Sequence, residues 1–327
     1  MTRRDPAGGA RTEEQPSPRG VAGVVGVVGL GLLGAALVER LLAAGMRVVG
    51  CDLDATRAYA AGIEAIPTPG GLAARVEHVI LCLPDSNAVA AVVEGADGIL
   101  AAGRVDAGEP VGDLPRAIID CTTGDPDAAA ALADRVAQRG VEYVEAAVSG
   151  SSEVVRAGDG VLLVGGNEAG VAAVADILDA IAPVVFVLGP PGAGARMKLA
   201  TNLVLGLNRL ALAEGLAFAE RLGLGGSAFL EVVRAGPAHS RALEAKGDRM
   251  LLGAYEPQAR LAQHLKDVRL LLTLAERVGA SLPTTRIHAE LLERAVALGY
   301  ADADNAAIVE VLRASTHPTR NDRPAGP

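Results

Sequence analysis

VAGVVGVVGLGLLGAALV, from Val21 to Val38, carries no charged residue, and its reading decides the fold. A membrane helix needs about 20 strongly apolar residues. This run instead holds Gly23, Gly26, Gly29, Gly31 and Gly34, and Glu39 and Arg40 follow it at once. Its halves differ in kind. Val24 to Val28 is valine-rich and reads as a short buried strand. From Leu32 to Ala44, the residues Leu33, Ala36, Leu37, Leu41 and Ala44 recur at helical spacing. Between the halves lies Gly29-Leu30-Gly31-Leu32-Leu33-Gly34, a GxGxxG turn. A second strand, Arg47 to Cys51, follows and ends at Asp52, 23 residues after Gly29.

Strand, glycine turn, helix and a later acidic residue together make a dinucleotide-binding fingerprint. In that pattern Gly29 permits the tight turn, Gly31 lets the backbone approach a pyrophosphate, and Gly34 lets helix and strand pack closely. The helix N-terminus offers oriented N–H groups and partial positive charge to phosphates. Asp52 would accept hydrogen bonds from ribose hydroxyls and repel a 2′-phosphate, which points to NAD in preference to NADP; Arg57 lies near enough to weaken that preference. The competing reading is a glycine-rich turn in an α/β fold that binds no nucleotide.

The bulk properties frame this. A length of 327 residues exceeds what one core usually serves, so two domains are expected. Half the residues are apolar, yet there is no Trp and only 3 Phe and 4 Tyr, so the cores must be Ala, Val, Leu and Ile. A net charge of −9 argues against nucleic acid or an anionic membrane as a main partner. Cys51, Cys82 and Cys121 are odd in number, widely spaced and set in apolar runs. They read as buried thiols in a reducing compartment, with the cytoplasm as the expected location. No two of the five histidines have zinc-ligand spacing, and no metal is expected. Lysine is scarce: Lys198, Lys246 and Lys266 are the three, and every other basic side chain is Arg. Arg keeps its proton near neutral pH, whereas a desolvated Lys can release it.

Along the chain, residues 1–20 read as a disordered tail rich in Pro, Gly, Arg and Glu. Strand and helix patterns then alternate over 21–189. Strands are expected at His78–Leu83, Ala117–Cys121, Val141–Glu145, Val161–Val164 and Val184–Leu188, and helices at Pro126–Arg139 and Ala169–Ile181, with a surface loop at Gly103–Pro115. Such alternation means α/β architecture: a Rossmann-type, mostly parallel sheet with helices on both faces. Gly189-Pro190-Pro191-Gly192 ends the pattern. From 190 to 315 an all-α second domain is expected, entered by a long helix from Ala193 to Leu222, with a short tail at 316–327. That helix is apolar nearly all round, which implies burial against a second subunit.

Lys198 and Asn202 stand four apart on the long helix and so share a face. A partly desolvated lysine there could exchange a proton during hydride transfer; the plain alternative is a lysine snorkelling at a helix start. Ser149-Gly150-Ser151-Ser152 reads as a loop of small residues after a strand, open to a carboxylate. Leu83-Pro84 and Thr122-Thr123 follow strands at the edge where open α/β sheets bind ligands. Lys266-Asp267 on the Leu261–Val278 helix has the look of an ordinary solvated pair.

Taken together these motifs resemble the β-hydroxyacid dehydrogenase family, the 3-hydroxyisobutyrate dehydrogenase-like enzymes that include tartronate semialdehyde and glyoxylate/succinic semialdehyde reductases. The resemblance runs from Val21 to about Leu312. GLGLLG with Asp52 resembles the family's cofactor motif, and Glu145-Ala146-Ala147-Val148-Ser149-Gly150-Ser151 its substrate motif DAPVSGG. The stretch from Gly192 to Asn202 resembles its catalytic motif GxGxxxKxxNN; Ala213-Glu214-Gly215 and Lys266-Asp267 also fit. The resemblance implies that Lys198 is the general acid/base and that Ser149, Gly150 and Ser151 hold a substrate carboxylate. It implies that Asn202 orients substrate or lysine, and that Lys266 and Asp267 close over cofactor and substrate. Leu83, Pro84 and Thr123 would line the cofactor cleft beside Gly29, Leu30, Gly31, Leu32, Leu33, Gly34 and Asp52. It also implies a homodimer or homotetramer. Four departures bear on the substrate: Glu145 for Asp, Ala147 for Pro, Ser151 for Gly and Thr201 for Asn.

The expected function is NAD-dependent hydride transfer between nicotinamide and a short 3-hydroxy acid or its aldehyde-acid counterpart. The alternatives are an imine-reductase-like enzyme on another substrate and a non-catalytic NAD-binding interaction protein.

Overall fold

The fold is that of a computed structural model whose described residues are 2–3, 23–102, 105–106, 109–110 and 113–314. The tails expected at 1–20 and 316–327, apart from residues 2–3, and parts of the Gly103–Pro115 loop lie outside the described residues. The strands in chain order are β1 (Thr2–Arg3), β2 (Val24–Val28), β3 (Arg47–Cys51), β4 (Glu64–Ala65), β5 (His78–Leu81), β6 (Val105–Asp106), β7 (Glu109–Pro110), β8 (Ala117–Asp120), β9 (Glu142–Ser149), β10 (Val161–Gly165) and β11 (Val184–Gly189).

Nine of them form one sheet in the order β1-β11-β10-β9-β8-β5-β2-β3-β4; β6 and β7 pair separately. From β4 through β9 every pairing is parallel. β10 then runs antiparallel to β9, β11 parallel to β10, and β1 antiparallel to β11. Counted by appearance, the six parallel strands lie in the order 3-2-1-4-5-6, and the order reverses between β2 and β5. Ligands bind outside the carboxyl ends at such a point.

Strands covered on both faces read as nearly unbroken apolar runs. All four residues of β8 are buried, and four of the five in β2. Alternation along each strand sorts side chains into two cores. Ile80 and Ile119 join Leu37, Leu41, Leu162 and Ile181 on one face. Leu81 and Ile118 join Leu72, Ile99 and Val136 on the other.

Two local readings are corrected. β9 does not stop at Glu145 but continues to Ser149, because β10 pairs with it residue by residue from Glu145 to Ser149. The expected helix at 169–181 is two, Glu168–Ala173 and Ala175–Ile181, interrupted at Val174.

The chain divides into two compact units between Leu199 and Ala200. The helix Ala193–Arg221, 29 residues and so about 43 Å long, contains that division. The second unit is helical: Gly226–Ala235, Arg241–Leu252, Leu261–Arg277, Pro283–Ala297 and Ile308–Ala314. Its own core gathers Leu216, Leu230, Leu243, Met250, Leu261, Leu292 and Val309. Among the described residues no helix is long and apolar enough to cross a membrane.

Candidate active site

The glycine turn between β2 and the helix Leu32–Ala43 is built by close approach. Gly29 has φ +93°, and a Cβ there would lie 2.2 Å from the Cys82 carbonyl oxygen. A Cβ on Gly34 would lie 1.9 Å from the Gly29 carbonyl oxygen. Gly31 differs: a Cβ there meets nothing within 4 Å. Gly31 is also the N-cap of the helix and supplies no side-chain acceptor to the first-turn N–H groups. Those groups are the unsatisfied donors that favour phosphate, and the bare backbone leaves them approachable.

Asp52, just past β3, ties the turn together. Its Oδ2 accepts from the Leu30 N–H at 2.6 Å and its Oδ1 from the Asp54 N–H at 2.9 Å. A carboxylate offers about four acceptor positions, so both oxygens keep capacity for hydroxyl donors. Arg57 Nη1 stands 3.4 Å from each oxygen, with its side chain half exposed.

At the neighbouring carboxyl ends, the Leu83 N–H donates to Thr122 Oγ1 at 3.0 Å, joining the segments after β5 and β8. On the same edge Thr123 is half-buried and Pro84 is exposed. Behind them Asp120 is buried, accepting from the Thr122 N–H at 2.9 Å and the Tyr143 hydroxyl at 2.6 Å. Burial raises its carboxyl above the usual range against those hydrogen bonds.

The Ser149–Ser152 stretch is not the open loop read from the sequence. Ser149 is the last residue of β9, opposite Val161. The chain turns at Gly150, which has φ +149°. Ser151 then caps the helix Ser152–Arg156, its hydroxyl accepting from the Val154 N–H at 3.4 Å.

The lysine-bearing helix starts beside the segment that leaves β8. Gly192 has φ +93°, and a Cβ there would lie 2.7 Å from the Pro126 carbonyl oxygen. A Cβ on Gly194 would lie 2.5 Å from the Leu163 carbonyl oxygen of β10. Glu145 of β9 accepts a hydrogen bond from the Gly192 N–H. Six residues on, Lys198 is 7% exposed, which makes it a buried amine on a helix docked at the ligand edge of the sheet. Farther along, Asn202 Nδ2 donates to Asp267 Oδ2 at 3.2 Å, and Lys266 Nζ lies 3.0 Å from Asp267 Oδ1. Asp267 is buried, so the pair is not the solvated one its spacing implied.

The structure thus joins Leu30 to Asp52, Leu83 to Thr122, and Asn202 and Lys266 to Asp267. Sequence reasoning missed Asp120 with Tyr143 and the reach of Glu145, although Glu145 stood out as a motif departure. Among the described residues no group of three or more His, Cys, Asp or Glu is placed to hold a metal ion.

Comparison with known proteins bears on this arrangement. Residues 24–189 match the family model of the NAD binding domain of 6-phosphogluconate dehydrogenase. Residues 192–312 match the model described as NAD-binding of NADP-dependent 3-hydroxyisobutyrate dehydrogenase. The chain is 27% identical over 296 residues to 2-(hydroxymethyl)glutarate dehydrogenase of Eubacterium barkeri, covering 89% of this chain and 95% of that protein. It is 29% identical over 287 residues to the cytokine-like nuclear factor N-PAC of Drosophila melanogaster, covering 86% of this chain but 46% of that protein. A solved Mycobacterium tuberculosis 3-hydroxyisobutyrate dehydrogenase with L-serine superposes with a TM-score of 0.74 at 25% identity, over 89% of this chain and 99% of that one.

Proposed function

The chain belongs to the β-hydroxyacid dehydrogenase family of NAD(P)-dependent dehydrogenases and reductases, and from that premise we propose that it moves a hydride between nicotinamide and a short 3-hydroxy acid or its aldehyde-acid counterpart. The observation that carries this reading is Lys198, a buried amine on a helix whose start is packed against the carboxyl-end segments of the sheet.

The turn fits a dinucleotide: Gly31 leaves room, the helix start leaves donors, and Asp52 retains acceptor capacity. The bound nicotinamide would supply the hydride acceptor or donor. Gly29 to Gly34 would hold the pyrophosphate, and Leu83, Pro84 and Thr123 would line the cleft beside it. Asp52 supports NAD over NADP, because its charge opposes a 2′-phosphate; Arg57, shared between both its oxygens, tempers that preference.

Lys198 would take the hydroxyl proton in oxidation and return it in reduction. An amine, unlike a guanidinium, is chemically able to exchange a proton in this way, and burial shields Lys198 from bulk water. Ser149, Gly150 and Ser151 are assigned the substrate carboxylate, with Asn202 and Asp267 orienting substrate and Lys266 on the cofactor side. Orientation in a dry cleft supplies much of the rate in such reactions. A homodimer or homotetramer through the helical unit is part of the proposal: Val204 and Phe218 of the long helix stand 56% and 64% exposed. The free thiols, Cys51 and Cys121 buried and Cys82 half-buried, accord with a reducing compartment such as the cytoplasm.

The test is a screen of short hydroxy acids and aldehyde acids with both cofactors, beside Lys198→Arg. The variant should lose about 10²- to 10⁴-fold in kcat while binding cofactor normally. A near-normal rate in the variant overturns the acid/base role. The likeness to N-PAC keeps a second reading in view, a cofactor-binding interaction protein. Tight cofactor binding without turnover on any compound would favour it.

A further inference from the structure

The lysine-bearing helix begins at a place where side chains have been removed. Gly192 lies against the Pro126 carbonyl and Gly194 against the Leu163 carbonyl. Across from them Gly165 is bare as well: a Cβ there would lie 2.5 Å from Glu145 Oε2, 2.9 Å from the Pro190 carbonyl oxygen and 3.1 Å from the Gly194 nitrogen. The carboxyl group of Glu145, a residue 4% exposed, fills the space beside Gly165, and the Arg196 guanidinium lies 3.2 Å from where a Cβ on Gly192 would stand.

Glu145 comes from β9, 47 residues before Gly192. It accepts from the Gly192 N–H and interacts with the backbone N–H of Ala195, both at the start of the helix. Those donors have no partner within the helix itself. The helix's own entry, Gly189-Pro190-Pro191-Gly192, contains no Ser, Thr, Asp or Asn that could cap them. A strand therefore supplies what the sequence before the helix lacks.

We propose that Glu145 is a positioning residue that docks the start of the lysine-bearing helix onto the sheet and so fixes where Lys198 stands. The role in catalysis rests on the reading of Lys198 given above; the docking role does not. The family motif carries Asp where this chain has Glu145. The extra methylene lengthens the reach, and Gly165 opposite leaves room for it.

The charged groups that face this carboxyl are few. Asp120 of β8 is its register partner and repels its charge; Tyr143 lies on the same face of β9; Arg196 of the helix attracts its charge and also pairs with Asp127 at 3.0 Å. β10 presents only the bare Gly165 at this point. Burial outweighs the hydrogen bonds, and Asp120 adds to it, so that the Glu145 carboxyl is pushed up to about 7. A group that holds its proton more tightly when docked than when exposed stabilises the docked state below its ordinary range. That stabilisation is lost as pH rises through the docked value. The helix start should thus be firmest in mild acid and loosen as pH rises through about 7.

The experiment is hydrogen–deuterium exchange of the full chain without cofactor, followed at the amides of residues 192–196 from about pH 5.5 to about pH 8.5, with intrinsic rates divided out. It is run on wild type, Glu145→Gln and Glu145→Leu. Wild-type protection should fall by about tenfold or more across that range. Glu145→Gln keeps an acceptor without a titrating charge and should show no such fall; Glu145→Leu should be poorly protected throughout. In turnover, Glu145→Leu should lose about 10- to 100-fold in kcat with KM within about twofold, and Glu145→Gln should recover most of it. A pH course in Glu145→Gln equal to that of wild type overturns the proposal, as does full protection in Glu145→Leu. Should Glu145→Leu not fold, the near-isosteric Glu145→Gln still decides. An absence of turnover in wild type defeats the dehydrogenase reading and leaves the exchange result to judge the docking.

Discussion

The Lys246 ammonium stands 2.9 Å from the Asp304 carboxylate, and neither group reaches solvent: their side chains are 6% and 0% exposed. Asp304 also accepts from the backbone N–H groups of Gln258, Ala259 and Ala306 at 3.0–3.2 Å. It ties the helix Arg241–Leu252 to the segment before Leu261 and to the turn that leads into Ile308–Ala314. Burial opposes its charge, yet Lys246 and the backbone donors hold its carboxyl below the ordinary range. Lys246→Met would leave that charge buried, with the more distant Arg249 and Arg209 to balance it. The expected loss is about 3–5 kcal/mol, measured by urea unfolding. Adding Asp304→Asn should recover part of the loss; no recovery would show that packing, not charge, is at stake.

A second stability prediction concerns acid. His288 is 2% exposed, and its ring centroid lies 5.1 Å from that of His264. Burial, assisted by Arg209, pulls its imidazole from 6.5 down to about 4. Because the unfolded chain binds this proton more readily, stability is present above pH 6.5 and falls as pH drops towards 4. The contribution is about 3 kcal/mol. In His288→Gln the stability–pH curve should be flatter over that range; an unchanged slope would assign the acid sensitivity elsewhere.

Gly34→Ala tests the turn. Its methyl would meet the Gly29 carbonyl at 1.9 Å, so helix and turn must separate. Overpacking of this kind costs about 1–3 kcal/mol, and the cofactor Kd, by fluorescence titration, should rise by about tenfold or more. A Gly31→Ala control meets no protein atom, and any loss of affinity there reports the cofactor alone.

Cofactor choice is read from Asp52→Asn. Asn keeps one oxygen to accept from the Leu30 N–H, so the turn persists while the charge and the bond from the Asp54 N–H go. The ratio of kcat/KM for NADH to that for NADPH should fall by about 10- to 100-fold. A ratio that does not move would remove Asp52 from discrimination and point to Arg57.

Asn202 and Asp267 should act as a unit. A cycle of Asn202→Ala, Asp267→Ala and the double variant, read in kcat/KM, should show coupling of about 1 kcal/mol or more. Strict additivity would mean that their 3.2 Å hydrogen bond has no bearing on turnover.

What was legible in the sequence follows from range. Val24–Val28, the glycine turn and Asp52 lie close together along the chain, and each obeys a local rule, so the nucleotide-binding half could be read directly. The continuation of β9 through Ala146 and Ala147 could not, since alanine favours helix and only pairing with β10 makes it strand. The five-residue helices at Thr56–Ala60 and Pro69–Ala73 are shorter than the window in which periodicity shows. Glu145 with Gly192 and Lys246 with Asp304 join residues 47 and 58 apart, and nothing local announces either.

The scarcity of lysine has a practical side. Lys198 and Lys246 are buried, whereas the Lys266 side chain is 29% exposed, the most accessible of the three lysines. Reagents that acylate primary amines, and beads or dyes coupled through them, would find among the lysines chiefly this residue beside Asp267. Immobilising or labelling the protein by that route would therefore tether it at the residues proposed to meet cofactor and substrate, and attachment through an introduced thiol is the sounder choice.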